Sequence, residues 1–240
     1  MPPSLAQVQA FQTEDAYARV LRGGLIRLGE AQLADHSCLE PEDVCFCFGQ
    51  YHAGRGYQGP GANRLILDFK RRPSVTAAGH AVRAAKARAL AAIAQALRTC
   101  IPPERITRTT WVPIPASQVQ GHADYDSRGI AVLRGAFAGY DADIRPLLRV
   151  TKAGVGAGSL YEALEVDRAV LDQAPLLREI VLFDDLITSG RHFKCAERRL
   201  REAASMPLTI CGIFIARRVL PNPQAERARF LAARRKRIQY

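Results

Sequence analysis

Residues 179–194 read Glu-Ile-Val-Leu-Phe-Asp-Asp-Leu-Ile-Thr-Ser-Gly-Arg-His-Phe-Lys, an order of residue types suited to holding a phosphorylated sugar. Asp184 and Asp185 repel phosphate. They suit neutral hydroxyl donors, such as a ribose 2′-OH and 3′-OH, or a Mg²⁺ ion. Thr188 and Ser189 add hydroxyl donors, and Gly190 lets the backbone approach an anion with no Cβ in the way. If a helix follows, its first N–H groups and its dipole favour phosphate. Two other readings of the acids weigh against this one. A Walker B motif needs a Gly-x-x-x-x-Gly-Lys-[Ser/Thr] loop, which the chain lacks. An acidic pair can also cap the next turn with no ligand at all.

The elements that would position these residues are a strand and a helix. Ile180–Phe183 is a short apolar run and predicts a buried strand; 193–204 predicts a helix. Ligands of open α/β sheets lie beyond the carboxyl ends of such strands. Elsewhere, helical patterns cover 5–29, with Val8, Phe11, Tyr17, Val20, Leu21 and Leu25 on one stripe, and also 77–97, 128–137, 160–171 and 224–237. Strand patterns cover 44–51, 109–114, 144–150 and 208–215. Along 44–51, Val44, Phe46 and Phe48 alternate with Cys45 and Cys47. From residue 77 onward strands and helices alternate, which favours a mostly parallel, twisted, Rossmann-like sheet covered on both faces. The expected organisation is an N-terminal extension or hood element (1–62), an α/β core (63–220) and a basic C-terminal tail (221–240).

Residues 180–192 resemble the phosphoribosyl diphosphate (PRPP) motif of type I phosphoribosyltransferases. That motif has four apolar residues, two acids, an apolar residue, a variable one, Thr, Thr or Ser, Gly and usually a small residue. Arg191 stands in the last place, where it could add a charge-assisted phosphate contact or narrow the loop. The resemblance implies that Asp184 and Asp185 hold the ribose hydroxyls, and that Leu186, Ile187, Thr188, Ser189, Gly190, Arg191 and His192 form the loop around the 5′-phosphate. It implies a type I phosphoribosyltransferase-like α/β fold, a cytoplasmic glycosyltransferase of nucleotide metabolism, and Mg²⁺ brought in with PRPP. A homodimer is left open.

Trp111-Val112-Pro113-Ile114-Pro115-Ala116-Ser117 ends another strand. Pro113 and Pro115 stiffen it by fixing φ. In the same family a loop at a comparable place binds pyrophosphate, which would bring Ala116 and Ser117 to that group. The Val-Pro-Ile-Pro form and the upstream Leu65-Ile66-Leu67-Asp68-Phe69-Lys70 are closest to the ComF-like branch. Members of that branch usually carry an N-terminal four-cysteine zinc finger. No Cys-x-x-Cys pair occurs here, so that module is missing or replaced. Residues 121–129 resemble the family's closing loop by position. His122, Asp124 or Asp126 would be a general base there, while Asp126 or Ser127 could equally cap the helix at Arg128.

Composition narrows the classes. At 240 residues, 48% hydrophobic and 24% charged, the chain suits one globular domain plus an appendage. No run approaches the roughly 18 apolar residues of a membrane span, and the N-terminus lacks a secretory pattern. The six cysteines are scattered, as in a cytosolic protein with reduced thiols. A zinc site from His36, Cys38, Cys45, Cys47 and His52 would have poor spacing, and 154–158 lacks the full dinucleotide fingerprint. The net charge is +11. Residues 190–240 hold thirteen Arg and Lys against three Glu, ending in Arg234-Arg235-Lys236-Arg237. That tail would suit nucleic acid or another polyanion, or form a solvated helix face. No aromatic residue interleaves it.

Three functions follow as expectations. The first is phosphoribosyl transfer to an unidentified nitrogen nucleophile with release of pyrophosphate, or related chemistry on a nucleotide. The second is PRPP or nucleotide sensing without turnover. The third is association with nucleic acid through the tail.

Overall fold

The computed structural model describes residues 16–77, 79–152 and 160–220. Six strands form one sheet in the order β1-β2-β8-β7-β3-β4: β1 (Ile26–Arg27), β2 (Cys45–His52), β3 (Thr109–Pro113), β4 (Asp143–Ile144), β7 (Glu179–Ile187) and β8 (Thr209–Val219). Every pairing is parallel except that of β1 with β2. The remaining two strands, β5 (Leu148–Val150) and β6 (Leu164–Val166), form a separate antiparallel pair. The architecture is α/β, with a mostly parallel sheet flanked by helices. The stretch set apart as an N-terminal extension supplies two strands to this sheet, with β2 lying between β1 and β8.

Parallel strands covered on both faces read as continuous apolar runs, and β7 shows why. Val181 and Phe183 enter one core with α1 (Gly61–Phe69), α2 (His80–Cys100) and α3 (Arg128–Ala136). Ile180 and Leu182 enter the other, with α4 (Arg191–Ala203). β2 does the same: Phe46 and Phe48 face the first core, Cys45 and Cys47 the second. The helical stripe of α4 is Phe193, Ala196 and Leu200, all buried.

Three sequence expectations are corrected. Of the helix over 5–29, residues 5–15 lie outside the described residues; the described part is helical at 16–21 and stops at Gly23-Gly24, where Gly24 takes φ +69°. Ile26 and Arg27 then pair with Cys47 and Phe46 as a strand. The strand over 144–150 is broken by Pro146, which has no N–H to give. Its halves join different sheets, and the Leu147 N–H turns back to the Arg145 carbonyl, 2.9 Å. The helix over 160–171 is helical only at Leu160–Ala163 and Arg168–Leu171. Leu164–Val166 between them is drawn into the β5 pairing. Asp167 restarts the helix by accepting the Ala169 N–H at 3.1 Å. The apolar stretch before Lys70 is the helix α1. The helix expected at 224–237, with the basic tail, and the glycine-rich 154–158 lie outside the described residues.

Candidate functional site

The strand connections place the site. From β3 the chain proceeds to β4 on one side, and from β7 to β8 on the other. The crevice between the carboxyl ends of β3 and β7 is therefore the topological switch point, where parallel sheets bind ligands. The pairing of β7 with β3 ends at Pro113↔Phe183, whereas its pairing with β8 runs on to Ile187↔Arg217. Asp184 and Asp185 thus sit where β7 has lost one neighbour but keeps the other. A cleft opens there, lined by Pro113–Ala116, Tyr125–Ile130, Pro146, Leu148 and Phe183–Asp185, with Phe69 behind.

Of the sequence-derived site residues, the fold gathers Ala116, Asp126, Asp184 and Asp185 around this cleft. Ser117 is exposed beside it, and residues 186–192 continue from it rather than line it. Leu186 packs against the first core and Ile187 is buried in the second. His192 bridges back, its Nδ1 3.9 Å from Asp184 Oδ2, and that carboxylate raises its pKa against the opposing effect of burial. Thr188 is exposed and Ser189 half-buried. Gly190 is the N-cap of α4 with φ +82°, a conformation open to glycine at little cost. Arg191 opens the helix, its N–H 3.4 Å from Ser189 Oγ.

The loop is held from outside by residues 35–43. The His36 imidazole Nδ1–H donates to the Thr188 carbonyl, and the Cys38 N–H donates to the Ser189 carbonyl at 2.8 Å. Leu39 lies so close to Gly190 that a Cβ there would meet its Cδ2 at 2.5 Å. Lys194 Nζ ties Asp43 at 2.7 Å and Glu40 at 3.0 Å, and Arg217 meets Asp35 at 3.4 Å. A trans peptide directs its N–H opposite to its C=O, and no described peptide is cis. Fixing these two carbonyls on the clasp therefore aims the N–H groups of Ser189 and Gly190 away from it. Burial pulls the pKa of His36 down, opposed by the bond to Thr188, so the ring is neutral in this role.

Beneath the cleft lies a chain of charges. Asp185, 5% exposed, is bonded at Oδ1 by Lys70 (2.9 Å) and at Oδ2 by Arg128 (2.7 Å). Burial opposes its ionisation, but these two cations outweigh that and hold its pKa below the usual carboxylate value. Arg128 also bonds Asp126 Oδ2 at 2.9 Å, and Lys86 bonds the same oxygen at 2.7 Å. Asp126 Oδ1 accepts the Arg128 N–H, 3.1 Å. Asp126 is thus the side chain that caps α3, while the N-cap residue Ser127 makes no side-chain bond there. Asp124 accepts the Ser74 N–H at 3.1 Å, and His122 Nδ1 accepts the Asp124 N–H at 3.0 Å. Asp184 is the less committed acid. Its Oδ1 accepts the Asp185 N–H at 2.7 Å, and its side chain is 15% exposed at the cleft.

Sequence reasoning missed the clasp: His36 and Cys38 figure there only as members of a poorly spaced zinc set, and nothing local pairs them with Thr188 and Ser189. The structure does not assemble that site: Cys45 and Cys47 are buried in the core as free thiols, and His36 is spent on Thr188. Among the described residues no group of three or more His, Cys, Asp or Glu is placed to hold a metal, and no helix is long and apolar enough to cross a membrane. The structural roles of Lys86 and Arg128 had no local signal either. Comparison of the chain with protein-family models and with curated proteins finds no match.

Proposed function

We propose that the chain binds a phosphoribosyl diphosphate across the ends of β3 and β7 and transfers its phosphoribosyl group to a nitrogen nucleophile, releasing pyrophosphate. One observation carries this reading. Residues 113–116 and 184–185, far apart in sequence and each resembling a PRPP-binding element, line one cleft at the switch point. In this reading Asp184 accepts the ribose hydroxyls. Thr188–His192, with the first turn of α4, receives the 5′-phosphate. Pro115 and Ala116 face the diphosphate, with Ser117 at its edge. Mg²⁺ enters with the ligand, as part of the substrate, and neutralises leaving-group charge. The type I phosphoribosyltransferase fold belongs to the same proposal.

A second reading, binding without turnover, draws on the state of Asp126. Both of its oxygens already accept hydrogen bonds, so the general base expected at this place is engaged elsewhere. Pyrophosphate release from PRPP, measured against a panel of bases and amines, separates the two: binding with no release on any acceptor favours the sensor. The shared premise is tested by Asp184→Asn. Loss of a charge-assisted bond to the ribose should weaken PRPP binding about tenfold or more by calorimetry, with melting temperature nearly unchanged. Unchanged affinity would sink the assignment.

A further inference from the structure

The two acids of the motif face different partners. Both line the cleft, but Asp184 is 15% exposed there, whereas Asp185 is buried and held by two cations of very different freedom. Arg128 is pinned by Asp185, by Asp126 and by the face of Phe69, 5.3 Å from its guanidinium carbon to the ring centroid. Its side chain is 14% exposed. Lys86 is 13% exposed and is bonded to Asp126 and to the Arg71 carbonyl. Lys70, by contrast, is 43% exposed while its ammonium reaches Asp185. Three cations thus meet the carboxylates of Asp185 and Asp126, with Asp184 a third acid at the cleft, and Lys70 is the most exposed of the three cations.

We propose that Lys70 is an exchangeable cation. It pairs with Asp185 as seen here, and it turns to the diphosphate arm of a bound ligand while Arg128 stays. This rests on the phosphoribosyl diphosphate reading and departs from the family expectation that both acids hold the ribose. The reason is compensation. If Lys70 leaves, Asp185 keeps Arg128 and its buried charge remains balanced; if Arg128 left, two buried carboxylates would lose a partner. Lysine also suits the moving role, being a compact charge on a flexible stem, whereas the arginine fork is fixed by its geometry. A diphosphate carries more negative charge than the one carboxylate Lys70 gives up, and it would lie against Pro115 and Ala116 in the cleft that Asp185 also lines. In this proposal a 5′-phosphate at Thr188–His192 is held by the N–H groups of the loop and of α4, with Lys70 acting there only through its field at His192. The exchange therefore confers selectivity for a sugar carrying a diphosphate over the same sugar carrying only its 5′-phosphate.

Calorimetry with PRPP, ribose 5-phosphate and inorganic pyrophosphate tests this on the wild-type chain and on K70Q and K70R. In K70Q, loss of a charge-assisted contact should weaken PRPP and pyrophosphate about tenfold or more and ribose 5-phosphate by less than about twofold. K70R keeps the charge but not the compact, flexible head, and should weaken PRPP less than K70Q does; K70R no better than K70Q would overturn the charge-based role. Equal weakening of PRPP and ribose 5-phosphate would mean general distortion and would overturn the proposal, as would unchanged PRPP affinity. A K70Q chain that does not fold also overturns it, because Arg128 would then not suffice to hold Asp185. Wild-type protein that binds ribose 5-phosphate as tightly as PRPP removes the exchange but leaves the motif assignment standing; wild-type protein that binds none of the three ligands removes both.

Discussion

At one end of the site, Thr188–Gly190 is gripped through its backbone, by His36 and Cys38 on two carbonyls and by Leu39 against the Gly190 Cα. At the other, Asp185 and Asp126 are gripped through their side chains, by Lys70, Arg128 and Lys86. Backbone bonds and close packing leave a loop one geometry, which suits a phosphate held by N–H groups whose directions must be set in advance. Ion pairs can be remade with a ligand at small net cost, because one charge replaces another. The Thr188–Gly190 end is thus the more rigidly held, and the charged end is where the proposed exchange of partners would take place.

This contrast can be broken from either side. The largest effect is expected for Asp185→Ala, which leaves Lys70 and Arg128 without their shared acid. Removing one partner from a buried ion pair costs about 3–5 kcal/mol, to be read from urea unfolding. A loss under about 1 kcal/mol would mean the charged end does not hold the fold. Because the cations keep the Asp185 pKa low, its stabilisation is present above the unfolded value near pH 4 and is lost as pH falls further. The wild-type advantage over Asp185→Ala should therefore shrink in acid.

Next comes Gly190→Ala. A left-handed φ costs a non-glycine residue roughly 1–2 kcal/mol, and the clash with Leu39 adds about 1–3 kcal/mol. Adding Leu39→Ala should recover the packing part and leave the φ part. A double variant no more stable than Gly190→Ala alone would show that the clasp is not pressed on the loop.

The smallest effect is expected at His36. Its folded pKa lies below the unfolded value near 6.5. Below that pH the unfolded chain therefore binds a proton that the folded chain refuses, and stability falls as pH drops. His36→Gln should flatten the melting-temperature profile between about pH 6.5 and 5. It should also weaken ribose 5-phosphate binding a few-fold at neutral pH by loosening the Thr188 carbonyl. An unchanged pH profile would place the ring outside the buried clasp.

Much of the fold was legible because its signals are local. The run at 180–183 is apolar without interruption and those at 109–114 and 208–215 are largely apolar, as strands covered on both faces need to be, and the stripes at 128–137 and 193–204 are those of half-buried helices. The failures have physical causes as well. Residues 164–166 take a strand because Leu148–Val150 offers them edge hydrogen bonds, a partner that helical periodicity does not encode. Ile26 and Arg27 pair at the sheet edge although the helical range read over 5–29 covers them. At the site, the types and spacing of Asp184 to Gly190 were readable, yet the unequal fates of the two acids were not.

The sequence by itself determined the chemistry on offer: two acids after an apolar strand, hydroxyls, a glycine that tolerates φ +82°, and a proline-stiffened strand end. Those properties belong to residue types and to separations of a few positions. The tertiary structure alone decided which groups meet. His36 reaches Thr188 across 152 residues, Arg128 reaches Asp185 across 57 and Lys70 across 115. Such contacts depend on the order of strands in the sheet and on which face each helix covers. The order that sets β7 between β3 and β8 turns one acid toward the cleft and buries its neighbour among cations.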